Sequence, residues 1–346
     1  MIQIDSKYID RIDNATSMKD LHLILQNAIE LEHATIPTYL TAMISIKPGT
    51  NQTIKNIFHS VVIEEMLHMS IACNILNALG GSPDINTPAF VPKFPGPLPM
   101  GINSGLIVSL VPISLDAIKN IYMEIEEPED PLNFPVKSAA VQDVHYATIG
   151  QFYDAIKKKI NILAPDILPG DPSKQMTEMF PSDEIFPILT KNDACRAIDI
   201  IVEQGEGTTH SPLDPEGELA HYYRFAEIYH GKELVADSTE PLGYSYSGSP
   251  IVLDSAGVHN IQPDTKLNDL PAGSEAYRAA SEFSQAYSRL LNALHTTFNG
   301  APDTIKHTIG MMYDVKLLGE TMAAMPFPGK TGVTVGPTFE YMPLIP

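Results

Sequence analysis

Residues 17–46 and 51–79 both carry apolar side chains at helical spacing, and only Lys47-Pro48-Gly49-Thr50 stands between them. A connection this short forces two long helices to lie side by side and antiparallel. Ser17 followed by Asp20 reads as a capping box that starts the first helix. Lys47-Pro48-Gly49 stops it, and Gly80-Gly81 stops the second. The rest of the chain has to be accommodated around this hairpin.

The hairpin places charge where apolar residues belong. At about 100° per residue from Leu25, Glu32 falls at roughly −20°, within the stripe of Leu21, Ala28, Ile36 and Met43. Glu30 falls at roughly 140°, toward water. On the second helix, counted from Val61, Glu65 falls at about +40° and His68 at about −20°, among Ile57, Ala72 and Leu76. Glu64 sits at the edge of that stripe. Glu32 precedes Lys47 by as many residues as Glu65 follows Thr50, so the three inward groups stand at equal height. A buried carboxylate is costly unless it is paired or binds a metal. A Glu facing a Glu-x-x-His on the next helix is half of the ligand set of a di-metal carboxylate bundle. A metal-free cluster of buried ion pairs remains the alternative, since Glu-x-x-His is common on helix surfaces.

A second Glu-x-x-His, Glu218-Leu219-Ala220-His221, opens a helical pattern over 216–230 with an aromatic face of Tyr222, Phe225 and Tyr229. This spacing selects His221 over its neighbours His210, in a loop, and His230, at a helix end before Gly231. The remaining glutamate is expected from the end of the helix over 193–204. Glu206 can face Glu218 across the turn, whereas Glu203 lies opposite Ala194, Ile198 and Ile201. His145, in phase with Ile149, Phe152 and Ile156 on a helix over 138–163, is a further candidate. The expected metal ligands are therefore Glu32, Glu65, His68, Glu206, Glu218 and His221, with Glu203 and His145 behind them.

Between the second and third long helices, residues 81–137 carry Pro83, Pro88, Pro92, Pro95, Pro97 and Pro99, which forbid a continuous helix. A short strand over 106–111 and a short helix over 115–125 are expected there. Residues 231–272 read as irregular, and helices return over 274–298 and 304–324. The fold class is mainly α: a helical bundle with a long Pro-rich crossover and additional C-terminal helices. Residues 1–235 are expected to form the bundle domain, with the crossover insert at 81–137. Residues 236–346 are expected to add an irregular segment and a helical hairpin packed on the same domain.

With 22 Lys+Arg against 42 Asp+Glu, the net charge of −20 argues against nucleic acid as a partner. No stretch has the length of a membrane span, and residues 1–13 are polar, without an apolar signal core. Cys73 and Cys195 read as buried free thiols. These features point to a cytoplasmic protein, with self-association left open.

The motifs carry a resemblance. Glu30-Leu31-Glu32-His33-Ala34-Thr35-Ile36-Pro37-Thr38-Tyr39, Glu64-Glu65-Met66-Leu67-His68-Met69 and Glu203-Gln204-Gly205-Glu206-Gly207-Thr208 with His221-Tyr222-Tyr223-Arg224-Phe225 resemble the signatures of a ferritin-like family. That family includes the iminophenyl-pyruvate dimer synthases of bisindole pigment pathways. The resemblance spans residues 18–230. It implies a ferritin-like bundle, and an activity related to the coupling of imines derived from oxidised tryptophan, with iron or haem.

Hard oxygen ligands with imidazole suit iron or manganese. The function expected is that of a metal-dependent, di-iron oxidative enzyme of secondary metabolism, acting on a small, amino-acid-derived substrate. Manganese and haem stay open beside iron. An iron-binding or storage protein without an organic substrate is the alternative, and the chain's length favours the enzyme.

Overall fold

The computed structural model describes residues 11–101, 106–128, 149–207 and 211–343. Helix α1 spans Met18–Ser45 and helix α2 Gln52–Ala78, packed as the expected hairpin. Ser17 and Asp20 form the capping box: the Ser17 hydroxyl accepts from Asp20 N and the Asp20 carboxylate accepts from Ser17 N.

The crossover runs against this pair, with Phe90 packed on His33 and Glu126 reached by Tyr39, both of α1. The expected strand over 106–111 is absent. Val108 makes only an isolated bridge to Gly96, because the surrounding prolines leave no run of donors for a ladder. Helix α3 runs Leu115–Ala117, widens into a π turn at Ile118–Tyr122, and ends at Met123–Ile125.

Helices α4, Ile149–Leu163, and α5, Lys191–Glu206, pack on each other. They also pack on α1 and α2 respectively, which completes a four-helix bundle. Gly207, at φ 79°, ends α5. Helix α6 spans only His221–His230, five residues shorter at its start than the sequence pattern suggested. The preceding residues are held in a tight turn by the Leu213–Leu219 bridge and by Asp214, which accepts from Glu218 N at 2.8 Å. The segment expected to be irregular contains a bulged antiparallel hairpin, β1 Lys232–Ala236 with β2 Tyr244–Pro250.

Helices α7, Glu275–Phe298, and α8, Ile305–Ala323, form a hairpin laid against α1 and α2. Asn77 on α2 donates to the Phe298 carbonyl at 2.7 Å. Gly319 on α8 allows a close approach to α1, since a Cβ there would meet Ile44 Cδ1 at 2.5 Å. Cys73 is buried as expected, whereas Cys195 is half-buried on α5, with Asn161 Nδ2 of α4 3.5 Å from its sulfur. Among the described residues no helix is long and apolar enough to cross a membrane.

Candidate metal centre

The bundle interior gathers the inward-phased groups. Glu32 from α1 and Glu65 and His68 from α2 are all buried. His68 Nδ1 lies 3.6 Å from Glu32 Oε2. His221, the first residue of α6 and fully buried, brings its Nδ1 to 3.0 Å from Glu65 Oε1 and 3.4 Å from Glu126 Oε2. Glu126 follows the last turn of α3 and is also buried. Two groups result, Glu32–Glu65–His68 and Glu65–Glu126–His221, and within each the donor atoms lie within 4.8 Å of one another. Glu65 belongs to both.

The outer nitrogens of the two imidazoles are occupied. His68 Nε2 bonds Gln204 Oε1 at 3.0 Å, and His221 Nε2 bonds Glu64 Oε2 at 3.0 Å. An acceptor on each Nε2 holds a proton there, so that each Nδ1, once it gives up its own proton, can offer a lone pair to a metal. Glu64 is itself fixed by Arg224 Nη1 at 2.6 Å from its other oxygen. The carboxylates are oriented too. Thr35 donates to Glu65 Oε2 at 2.8 Å, Tyr153 donates to Glu32, and Tyr39 donates to Glu126.

Burial and the mutual charges of the cluster act against each other. Burial, with the neighbouring Glu126 charge, pushes the Glu65 carboxyl up to about 7. Burial alone would depress both imidazoles, yet each is raised. For His68 a hydrogen bond to Glu32 reverses the effect, and for His221 the Glu126 charge leads. Glu64 is likewise penalised by burial, but His221 and Arg224 bring it down to about 2. His221 Nδ1 is buried and makes no hydrogen bond of acceptable geometry despite its carboxylate neighbours. Three carboxylates and two Nδ1 atoms converging in this way fit the donor set of a di-metal site, which Glu32, Glu65, His68, Glu126 and His221 would hold. A cavity of about 30 Å³, walled in part by Ile125, Ile201 and Val202, opens beside them.

Residues 25–230 match the family described as Ferritin-like, which covers more than half of the chain. The chain belongs to the ferritin-like family. Among solved structures, this ferritin-like chain is similar to a ferritin-like protein from Caulobacter vibrioides, with 28% identity and a TM-score of 0.56. The likeness covers 86% of this chain and 95% of that one. No curated protein matches it.

Of the residues singled out in the sequence, the ferritin-like bundle brings together Glu32, Glu65, His68 and His221. Glu218 is not among them. It is exposed in the turn before α6, because that helix begins at His221 and the Glu-x-x-His spacing there is not helical. Glu203 is half-buried and outside both groups, while the next residue, Gln204, reaches His68. Glu206 ends α5 with its side chain outside the described set, and His145 and His210 lie outside the described residues. His230 ends α6 and stacks on Tyr246 at 4.1 Å.

Sequence reasoning missed Glu126, Gln204 and Glu64. Glu126 sits in the Pro-rich crossover, beyond a π turn that rotates the residues after it relative to an α-helical count. The available signal was the apolar run Ile121-Tyr122-Met123 and Ile125 leading into it.

Proposed function

We propose that this ferritin-like protein is a di-iron oxidative enzyme acting on a small, amino-acid-derived molecule. The observation that carries the reading is Glu65, shared between two buried donor groups, each completed by one further carboxylate and one Nδ1. Oxygen-rich donors with one imidazole apiece favour iron or manganese over softer metals. Iron held in this way supplies the electron transfer to dioxygen that side chains lack.

The chain's own contribution is orientation and exclusion. Gln204 and Glu64 fix the two imidazole tautomers. Tyr153, Tyr39 and Thr35 hold one carboxylate each. Apolar side chains of α3 and α5 shield the centre from bulk water, and the small cavity at the carboxylates is of a size for one small ligand. The aromatic imine substrates of the dimer synthases are the nearest chemical guide to a substrate, through the motif resemblance at Glu32, at Glu65 to His68 and at His221.

The test is anaerobic loading with ferrous iron, followed by dioxygen uptake with and without aromatic amino acids and their 2-imino acids. Uptake that requires both iron and an organic partner supports the enzyme. Iron oxidation with retention of many ions in a large hollow particle would replace it with the storage reading.

A further inference from the structure

A second cavity, of about 320 Å³, lies on the other side of the α1–α2 hairpin, between it and the α7–α8 hairpin. Its wall takes Ile36, Met66 and Met69 from the first pair, sequence neighbours of Thr35, Glu65 and His68, which face the opposite way. None of Glu32, Glu65, His68, Glu126 or His221 lines it. We propose that this cavity binds a medium-chain fatty acid, with the tail among the methionines and the carboxylate at Lys316. This proposal does not depend on the metal centre.

The wall chemistry selects an apolar, flexible tail. Met43, Met66, Met69, Met179 and Met312 contribute thioether side chains that adapt to an irregular chain, and the remaining wall is mostly aliphatic. A cavity of this size, open at one end, lies at the low end of the range for small-molecule sites and suits an alkyl chain of medium length. An apolar cavity of this kind is a poor host for water. Its buried polar feature is neutral. His33 Nε2 and the Tyr287 hydroxyl are hydrogen-bonded at 2.9 Å, and burial holds the His33 imidazole down at about 3. The inner wall therefore carries no positive charge to pair with a carboxylate, and the charged head is better placed at the opening.

The opening is where the charge complement lies. His59 and Tyr313 are exposed there and Lys316 is half-buried. Lys55 close by is neutralised by Glu320 at 2.8 Å, but Lys316 has no carboxylate partner among the described residues. The ammonium groups of Lys316 and Lys55 stand near enough to His59 to reinforce the depression that burial causes in its imidazole. In a chain of net charge −20, a free lysine at the mouth of an apolar cavity is a local exception to the overall sign. A single anionic head on an apolar tail satisfies both features at once, whereas a neutral lipid or an apolar partner segment would leave Lys316 unused.

The test is titration calorimetry of the metal-free full chain with decanoate and with decanol, for the wild type, Lys316→Gln and Leu290→Trp. The expected result is one decanoate per chain, weakened about tenfold by Lys316→Gln, a loss in keeping with one charge-assisted contact. Decanol should bind more weakly than decanoate and be indifferent to residue 316. Leu290→Trp, which fills the cavity, should abolish both. Wild-type protein that ignores decanoate, equal affinity for acid and alcohol, or decanoate binding unchanged in Lys316→Gln would each overturn the proposal. Lys316 is at the surface, so that arm stands even if Leu290→Trp fails to fold. Because the metal is absent throughout, failure here leaves the reading of the carboxylate centre untouched.

Discussion

His221 Nδ1 and Glu65 Oε1 stand 3.0 Å apart, which ties the first residue of α6 to the middle of α2. Through this contact Glu65 joins the donors of the first hairpin to those of the crossover and the late helix. Loss of the Glu65 carboxylate should therefore affect both halves of the centre.

Glu65→Ala is expected to lower bound iron from about two ions per chain to near none. Glu126→Ala should remove about one, since the Glu32–Glu65–His68 group survives it. Glu30→Ala is the control. Glu30 is half-buried on α1, with Asn27 donating to it at 3.3 Å, and lies outside both groups. Metal analysis of iron-loaded protein after desalting decides the matter, and equal losses in the Glu30 and Glu65 variants would refute the shared-ligand geometry.

Gln204→Leu should weaken metal binding about 10- to 100-fold without removing a donor. The amide oxygen accepts from His68 Nε2 at 3.0 Å, and without it the imidazole loses its fixed tautomer. Competition against a chelator of known affinity measures the change. An unchanged affinity would mean that His68 does not depend on Nδ1 for ligation.

The two halves of the centre differed in how readable they were. Glu32, Glu65 and His68 lie on long regular helices, where 3.6-residue phasing and a short connection set both direction and height. That logic fails where the backbone leaves the regular helix. The tight turn closed by Asp214 takes Glu218 away from His221, although their spacing matches a helical pair. The π turn of α3 hides Glu126 from α-helical counting. Gln204 carries no charge, so a search for buried carboxylates passes over it, although it does what a partner of a ligating histidine must do. The β1–β2 hairpin escaped notice because its half-exposed strands, Ser- and Gly-bearing in β2, lack a clean alternation.

Stability should respond to acid through His33. Burial depresses its folded pKa to about 3, against 6.5 for the free side chain, so the unfolded chain binds more protons between those values. The contribution of the neutral imidazole is thus fully present above about pH 6.5 and is lost as pH falls toward 3. The expected slope is about 1.4 kcal/mol per pH unit within that window. Denaturant unfolding of metal-free wild type and His33→Phe as a function of pH isolates it. The variant, which cannot titrate, should show a shallower acid decline, and parallel curves would mean that the imidazole is not held neutral.

Gly170→Ala should destabilise the bundle without touching the centre. Gly170 lies in the α4–α5 connection and donates its N–H to the Ala78 carbonyl at 2.8 Å, satisfying one of the orphan acceptors at the end of α2. A Cβ at this position would stand 1.9 Å from the Asn77 carbonyl oxygen and 2.7 Å from that of Ala78. Both obstacles are backbone, so no rotamer change relieves them, and the connection has to lift away from α2. The cost expected for such overpacking is about 1–3 kcal/mol, read as a lower denaturant midpoint with an unchanged slope. Gly310→Ala serves as the comparison. It lies within α8 with nothing within 4 Å of its Cβ position, so the same substitution there should stabilise by about 0.5–1 kcal/mol through helix propensity. Opposite signs for the two variants would tie the loss at Gly170 to the close backbone approach, and a neutral Gly170→Ala would show that the connection does not press on the end of α2.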